Sequence, residues 1–190
     1  MCRTSKFNCT AAQTIGGAFD EHAIIAIACI AYNWINNHIL AYWDTDGNDH
    51  VDGRTILHAQ NINTSQEAIE FVQGFERPPI NTANAWVGLS KALHFINSRI
   101  FPIWDSRVAN NFNVAAGNQG YYICYIEWCH SVLDPGNKNQ NAIDIRNAVN
   151  EVRNLFVQNV GYGVSKIRAL EFILFVMGKI LKNAGNQAND

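Results

Sequence analysis

Apolar side chains along this chain recur at spacings of three and four residues. No stretch alternates convincingly with the period of two that a half-buried strand requires. From Asp20 to Leu40, the residues Ala23, Ile24, Ile27, Ile30, Ala31, Trp34 and Ile35 define one helix face. Ile25, Ala26, Ala28 and Cys29 carry it around the cylinder, which suits a largely buried helix. Thr64-Ser65-Gln66-Glu67 has the form of a capping box ahead of Ala68, Ile69, Phe71, Val72 and Phe75, with Pro78-Pro79 as a stop. Further helices are predicted from about Leu89 to Asn97, after Asp105-Ser106, over 121–133, over 141–158, and over 164–181 beyond Gly161-Tyr162-Gly163. The tail 183–190 is expected to fray. No internal repeat is present. The expectation is all-α: one compact domain over residues 1–190, built from six to eight helices.

With 190 residues and 48% apolar side chains, the chain can bury a proper core and is not a disordered polymer. Only 16% of residues are charged, against the roughly 25% usual in soluble domains. Twenty-four asparagines fill part of the gap, so much of the polar surface is amide. A net charge of −2 argues against a strongly basic nucleic-acid binder. The halves differ, however: residues 1–90 carry four Lys/Arg and nine Asp/Glu, residues 91–190 ten and seven. The second half can therefore present a basic face, though an excess this small steers only weakly. The longest apolar run, Ala23 to Tyr32, is ten residues, too short to span a bilayer. Met1 to Lys6 has no apolar segment of the kind a secretion signal needs, so a cytoplasmic location is expected.

Five cysteines (Cys2, Cys9, Cys29, Cys124, Cys129) then read as free thiols in a reducing compartment. Cys124-x4-Cys129-His130 has a metal-like look, but no second ligand pair stands at a convincing spacing, and a four-cysteine iron–sulfur cluster is short of ligands. Asp44-Thr45-Asp46-Gly47-Asn48-Asp49-His50-Val51-Asp52-Gly53 is similar to a calcium loop of the EF-hand or dockerin kind, with Asp44, Asp46, Asn48 and Asp52 as oxygen ligands. Asp49 stands where such loops place glycine, and Thr55 where they place a bidentate glutamate. The competing reading is a plain turn of Asp, Asn and Gly between two helices.

Residues 86–108 read Trp-Val-Gly-Leu-Ser-Lys-Ala-Leu-His-Phe-Ile-Asn-Ser-Arg-Ile-Phe-Pro-Ile-Trp-Asp-Ser-Arg-Val. A turn at Gly88, a short helix, a loop, and Phe-Pro-Ile-Trp-Asp opening another helix resemble the active-site segment of the helix-hairpin-helix DNA glycosylases. That superfamily includes endonuclease III and the adenine-mispair and 8-oxoguanine glycosylases. The resemblance covers 23 residues and implies a glycosylase-like fold, DNA as partner, and hydrolysis of the N-glycosidic bond of a damaged, mispaired or modified base. It implies Gly88 at a DNA phosphate and Asp105 as the essential carboxylate. Two alignments compete for the position of the family's lysine. One puts Ser90 there, as in adenine-mispair glycosylases; the other puts Lys91 there. On a helical wheel Ser90 flanks the apolar stripe of Leu89, Ala92, Leu93 and Ile96, whereas Lys91 points away, which favours Ser90 as the pocket-lining residue. The hairpin has one glycine where the family has two, and the loop to the aspartate is shorter.

Physically, Asp105 suits the chemistry because breaking an N-glycosidic bond builds positive charge on the sugar, which a fixed carboxylate stabilises. Asp105 is equally an N-cap for the helix through Ser106-Arg107-Val108, and one role does not exclude the other. Trp104 and Phe101 are candidates to stack on an extruded base, with core packing as the alternative. His94 reads as a satisfied helix-face histidine. Arg99, Arg107, Lys166 and Arg168 are candidate phosphate contacts, as is the helix start after Gly163, where free N–H groups attract anions. A non-catalytic DNA- or protein-binding module of the same fold is the rival function, and a calcium-stabilised interaction domain a third.

Overall fold

The computed structural model describes residues 58–75 and 85–187. The acidic loop Asp44–Asp52 and the apolar stretch Asp20–Leu40 lie outside the described residues. Within them the architecture is all-helical, with no strand. A 3-10 turn (His58–Asn61) precedes α1 (Ser65–Gln73), α2 (Ala85–Ile96), α3 (Ser106–Asn110), α4 (Gln119–Leu133), α5 (Gln140–Val160) and α6 (Lys166–Gln187). No helix among the described residues is long and apolar enough to cross a membrane.

Local chemistry accounts for most of these boundaries. The Thr64 hydroxyl accepts from Glu67 N while Glu67 reaches back to the N-cap backbone, so the capping box forms as its residues imply. Helix α1 stops at Gln73, ahead of the Pro78-Pro79 pair expected to end it. Asp105, Asn118 and Asn139 cap α3, α4 and α5 through side-chain oxygens. Gly161 closes α5 in the left-handed conformation (φ 78°), which only glycine adopts without cost. Two boundaries differ from expectation. Helix α2 starts at Ala85, so Gly88 stands inside its first turn and is buried, not in a turn ahead of it. Helix α6 runs on through residues 183–187, where neither a proline nor a left-handed glycine stops it.

The core joins the 3-10 turn, all six helices and the 100–104 segment: Ile62, Val72, Leu93, Phe101, Trp104, Val108, Tyr122, Ile126, Val149 and Leu170 are all buried. Trp104, Phe112, Tyr125 and Trp128 form an aromatic knot. Ring centroids lie 5.0 Å apart for Trp104–Tyr125 and 5.1 Å for Phe112–Trp128, the latter edge-to-face. Amides tie elements together from within. Asn97 Nδ2 donates to the carbonyls of Ala59 and Ile62, and Gln119 Nε2 to those of Val72 and Phe75. Part of the amide content therefore works inside the fold, not only on its surface. The Arg146 guanidinium gathers three carbonyls where α4 ends, Val132, Asp134 and Asn137, at 2.8–3.1 Å.

Helices α3 and α6 touch backbone to backbone. A Cβ at Gly178 would lie 2.0 Å from the Arg107 carbonyl oxygen, so only glycine permits this approach. Asn111 Nδ2 donates to Leu174 O (2.8 Å) one turn earlier on α6. Gly178→Ala should therefore cost at least about 2 kcal/mol in urea denaturation, the scale of overpacking a rigid contact. A neutral result would mean that α3 and α6 pack differently.

Candidate active site

The residues that carry the sequence resemblance converge on one short stretch. Phe101-Pro102-Ile103-Trp104 is non-helical and enclosed, with Phe101 at 0% and Trp104 at 1% exposure. A buried non-helical backbone must find partners for its polar groups, because an unpaired one costs about as much as a lost hydrogen bond. Here they come from side chains. Ser90 Oγ, on α2, accepts from Trp104 N (2.9 Å) and has its proton for Val87 O or Trp104 O (2.9 and 3.1 Å). His94 Nδ1 lies 2.8 Å from Phe101 O and 3.1 Å from Glu171 Oε1. Both neighbours are acceptors, so this nitrogen carries a proton. Glu171 Oε1, on α6, also accepts from Ile103 N, while Oε2 pairs with Arg168 at 3.0 Å. Pro102 has no N–H to satisfy.

Glu171 is 2% exposed. Burial alone would raise its carboxyl above the ordinary 4.5, but His94, Arg168 and the Ile103 N–H reverse that and hold it below. From α4, Tyr122, Tyr125 and Cys129 face the same region. Burial, with the Glu171 charge adding to it, pushes both phenols and the thiol well up, so all three stay neutral. The Tyr125 phenol pairs with the Cys129 thiol, whereas the enclosed Tyr122 oxygen has no hydrogen-bond partner among the described residues.

Asp105 leaves this enclosed stretch half-buried. Its Oδ1 takes both Arg107 N and Val108 N at 2.9 Å, the expected N-cap, and Oδ2 accepts no hydrogen bond from the described residues. Lys91 is 7% exposed and its amine has no hydrogen bond or ion pair among the described residues. Burial draws the Lys91 ammonium below the ordinary 10.5, and the Asp105 charge partly opposes that shift. An enclosed, unpaired lysine within the field of a half-exposed carboxylate is an arrangement that structural roles do not explain.

Ser90 and Lys91 stand in different surroundings. Ser90 is 0% exposed and its hydroxyl is spent on Trp104. The helical wheel treats its flank of the stripe as a pocket wall, but α2 is buried on every side from Trp86 to His94. Of the two, Lys91 is the residue in reach of the Asp105 field. Trp104 and Phe101 are part of the packing: Trp104 Nε1 donates to Ala116 O (2.8 Å), and Phe101 meets Phe71 edge-on at 6.0 Å. His94 is satisfied, as its position suggests.

Among the basic candidates, Arg99 and Lys166 are exposed and flank a contact in which Ser165 Oγ donates to Ser98 O (2.9 Å). The same Ser165 oxygen accepts from Arg168 N, so the start of α6 is capped by its own serine. Arg168 is engaged with Glu171. Arg107 lies over the Phe175 ring, 4.4 Å from its centre, apart from that group. Cys124 is exposed, Cys129 buried, and His130 Nε2 is bonded to Ile100 O (2.9 Å). No group of three metal-ligating side chains occurs among the described residues. An open groove of about 630 Å3 between the start of α1 and the end of α4 is lined by His130 but by none of the candidate catalytic or phosphate-binding residues. Sequence reasoning missed Glu171. Its signal was a lone acid inside an apolar helix, at the i, i+3 distance from Arg168.

No family model, curated protein or solved structure matches this chain.

Two stability tests follow from the charges. Since the Glu171 carboxyl is held below 4.5 in the folded chain, its contribution is complete above that pH and drains away as pH falls through the lower folded value. The melting temperature of wild type should exceed that of Glu171→Gln at pH 7, and the gap should close towards pH 3; a constant gap would show that Glu171 is not ionised in the fold. Lys91→Met should stabilise the chain at pH 7, by on the order of 1 kcal/mol, because it removes an enclosed unpaired amine. Destabilisation would reveal a partner for Lys91.

Proposed function

We propose that this chain is a helix-hairpin-helix glycosylase-like enzyme that cleaves the N-glycosidic bond of a damaged, mispaired or modified base in DNA. Lys91 and Asp105 are its reacting pair. The observation that carries the proposal is the lysine itself: enclosed, without a partner among the described residues, its proton affinity lowered, and electrostatically linked to a carboxylate whose second oxygen accepts no hydrogen bond from those residues. Such perturbed pairs mark functional sites more often than structural ones.

The chemistry follows from those two groups. As the base departs, positive charge grows at the sugar, and the Asp105 carboxylate stabilises it. Oδ1 is held by the cap, which fixes the group without neutralising it. A deprotonated Lys91 amine displaces the base at the anomeric carbon, and one amine proton leaves with the base. The bond from that carbon to the ring oxygen then breaks, the ring oxygen takes the second amine proton, and the imine forms. Lowering the lysine's proton affinity by burial raises the fraction of free amine at neutral pH. Arg99 and Lys166, both exposed, supply phosphate contacts. A binding module of the same fold is the second reading, favoured by the enclosure of Phe101 and Trp104, which leaves neither ring open to a flipped base.

Borohydride reduces such an imine to a permanent protein–DNA adduct, so duplexes carrying modified bases or an abasic site test the proposal directly. An adduct is expected with wild type and lost in Lys91→Ala. Base release without an adduct would return the chemistry to water as nucleophile. Neither release nor adduct would favour the binding module. Asp105→Asn should lower base release at least about a hundredfold, the scale of one electrostatic catalytic group. Stability should barely change, since asparagine caps a helix as well as aspartate does.

A further inference from the structure

Lys91 and Asp105 stand on different elements, α2 and the start of α3, and nothing bonds one to the other directly. Two ties relate them: Ser90, beside Lys91 on α2, bonds Trp104, beside Asp105, and a third element adds a second tie. Glu171 Oε1, on α6, accepts from Ile103 N, two residues before Asp105, and lies 3.1 Å from His94 Nδ1, three residues after Lys91 on the same helix. His94 Nδ1 also reaches Phe101 O at 2.8 Å, so the loop is gripped at two points by one hydrogen-bonded set. We infer that Glu171 is a positioning residue of the pair: its buried Oε1 joins α2 and the aspartate-bearing loop through α6, alongside the direct Ser90–Trp104 bonds. The inference rests on the Lys91–Asp105 reading proposed above.

The surroundings suit that task. Arg168 takes the other carboxylate oxygen, leaving Oε1 to the two bridging donors. The groups facing Glu171 from α4, Tyr122, Tyr125 and Cys129, remain neutral and do not compete for its charge. Glu171 touches neither reacting group, so it acts through the backbone it holds. A glutamine at 171 keeps an acceptor oxygen for Ile103 N and His94; an alanine keeps nothing. Positioning by hydrogen bonding therefore predicts loss in Glu171→Ala and recovery in Glu171→Gln.

The test is a cycle on the full-length chain, read by reductive methylation of Lys91 across pH and quantified by mass spectrometry of its peptide. In the wild-type background, Asp105→Asn should lower the pH midpoint of Lys91 methylation by about 0.5 unit or more, because it removes a nearby negative charge. In Glu171→Ala that effect of Asp105→Asn should vanish, and in Glu171→Gln it should return. Helix content is checked by circular dichroism for each variant. An equal midpoint change in all three backgrounds overturns the inference, and so does loss in both Glu171 variants while they remain helical. If Glu171→Ala does not fold, the comparison of wild type with Glu171→Gln decides: loss in the glutamine variant overturns it. The borohydride adduct supplies an independent arm. Glu171→Ala should slow its formation at least tenfold at saturating DNA without changing the half-saturating concentration. If wild type forms no adduct but the methylation cycle behaves as expected, the enzyme reading fails while the positioning role stands.

Discussion

The rest of the structure depends on how Phe101-Pro102-Ile103-Trp104 is accommodated. A non-helical backbone in a helical core is costly, because helices satisfy their own polar groups and leave none for a passing segment. The solution is three polar side chains placed where the segment passes: Ser90 for Trp104, His94 for Phe101 and Glu171 for Ile103. Proline at 102 removes the remaining donor. The two aromatic side chains then contribute their burial to the core, and Trp104 joins the knot with Phe112, Tyr125 and Trp128. Asp105 emerges with its backbone already fixed on one side and its own helix cap fixing it on the other.

That arrangement explains which parts were legible in the sequence. Caps are local, so Thr64, Asp105 and Gly161 announced themselves by residue type and by the run that follows or precedes them. The start of α2 was placed too late, because Gly88 reads as a turn residue although the helix runs through it. Ser90 and Lys91 could not be ranked from a wheel. A wheel assumes one buried face, and α2 is covered all round by segments distant in sequence. Glu171 was hidden for a related reason. Helix α6 is apolar on several sides; Phe172, Phe175, Val176 and Met177 are exposed, whereas Ile167, Leu170, Glu171 and Leu174 form the inward stripe. Nothing in the composition distinguishes those stripes. The residue that matters most to the loop is therefore the one that looks out of place.

Stability and chemistry pull apart at Lys91. An enclosed amine without a partner is a liability in a fold that satisfies its other buried charges. The neighbouring Glu171 shows what full satisfaction looks like: three donors, Ile103 N, His94 Nδ1 and Arg168, converge on its carboxylate and its ionised form is retained. Two charged side chains near one short segment thus stand in contrast, Glu171 saturated and Lys91 with no bonded partner among the described residues.

Helix α6 meets the 103–111 stretch at three heights: Glu171 with Ile103, Leu174 with Asn111, and Gly178 against Arg107. Seven residues of helix, roughly 10 Å of rise, separate the first and last of these. Two are hydrogen bonds of fixed direction and the third is a contact with no spare room, so the helix is registered like a rod seated on pegs. It cannot slide by even one residue, about 1.5 Å, without unseating all three at once. The stretch on either side of Asp105 is therefore held to α6 at Ile103, Arg107 and Asn111 alike.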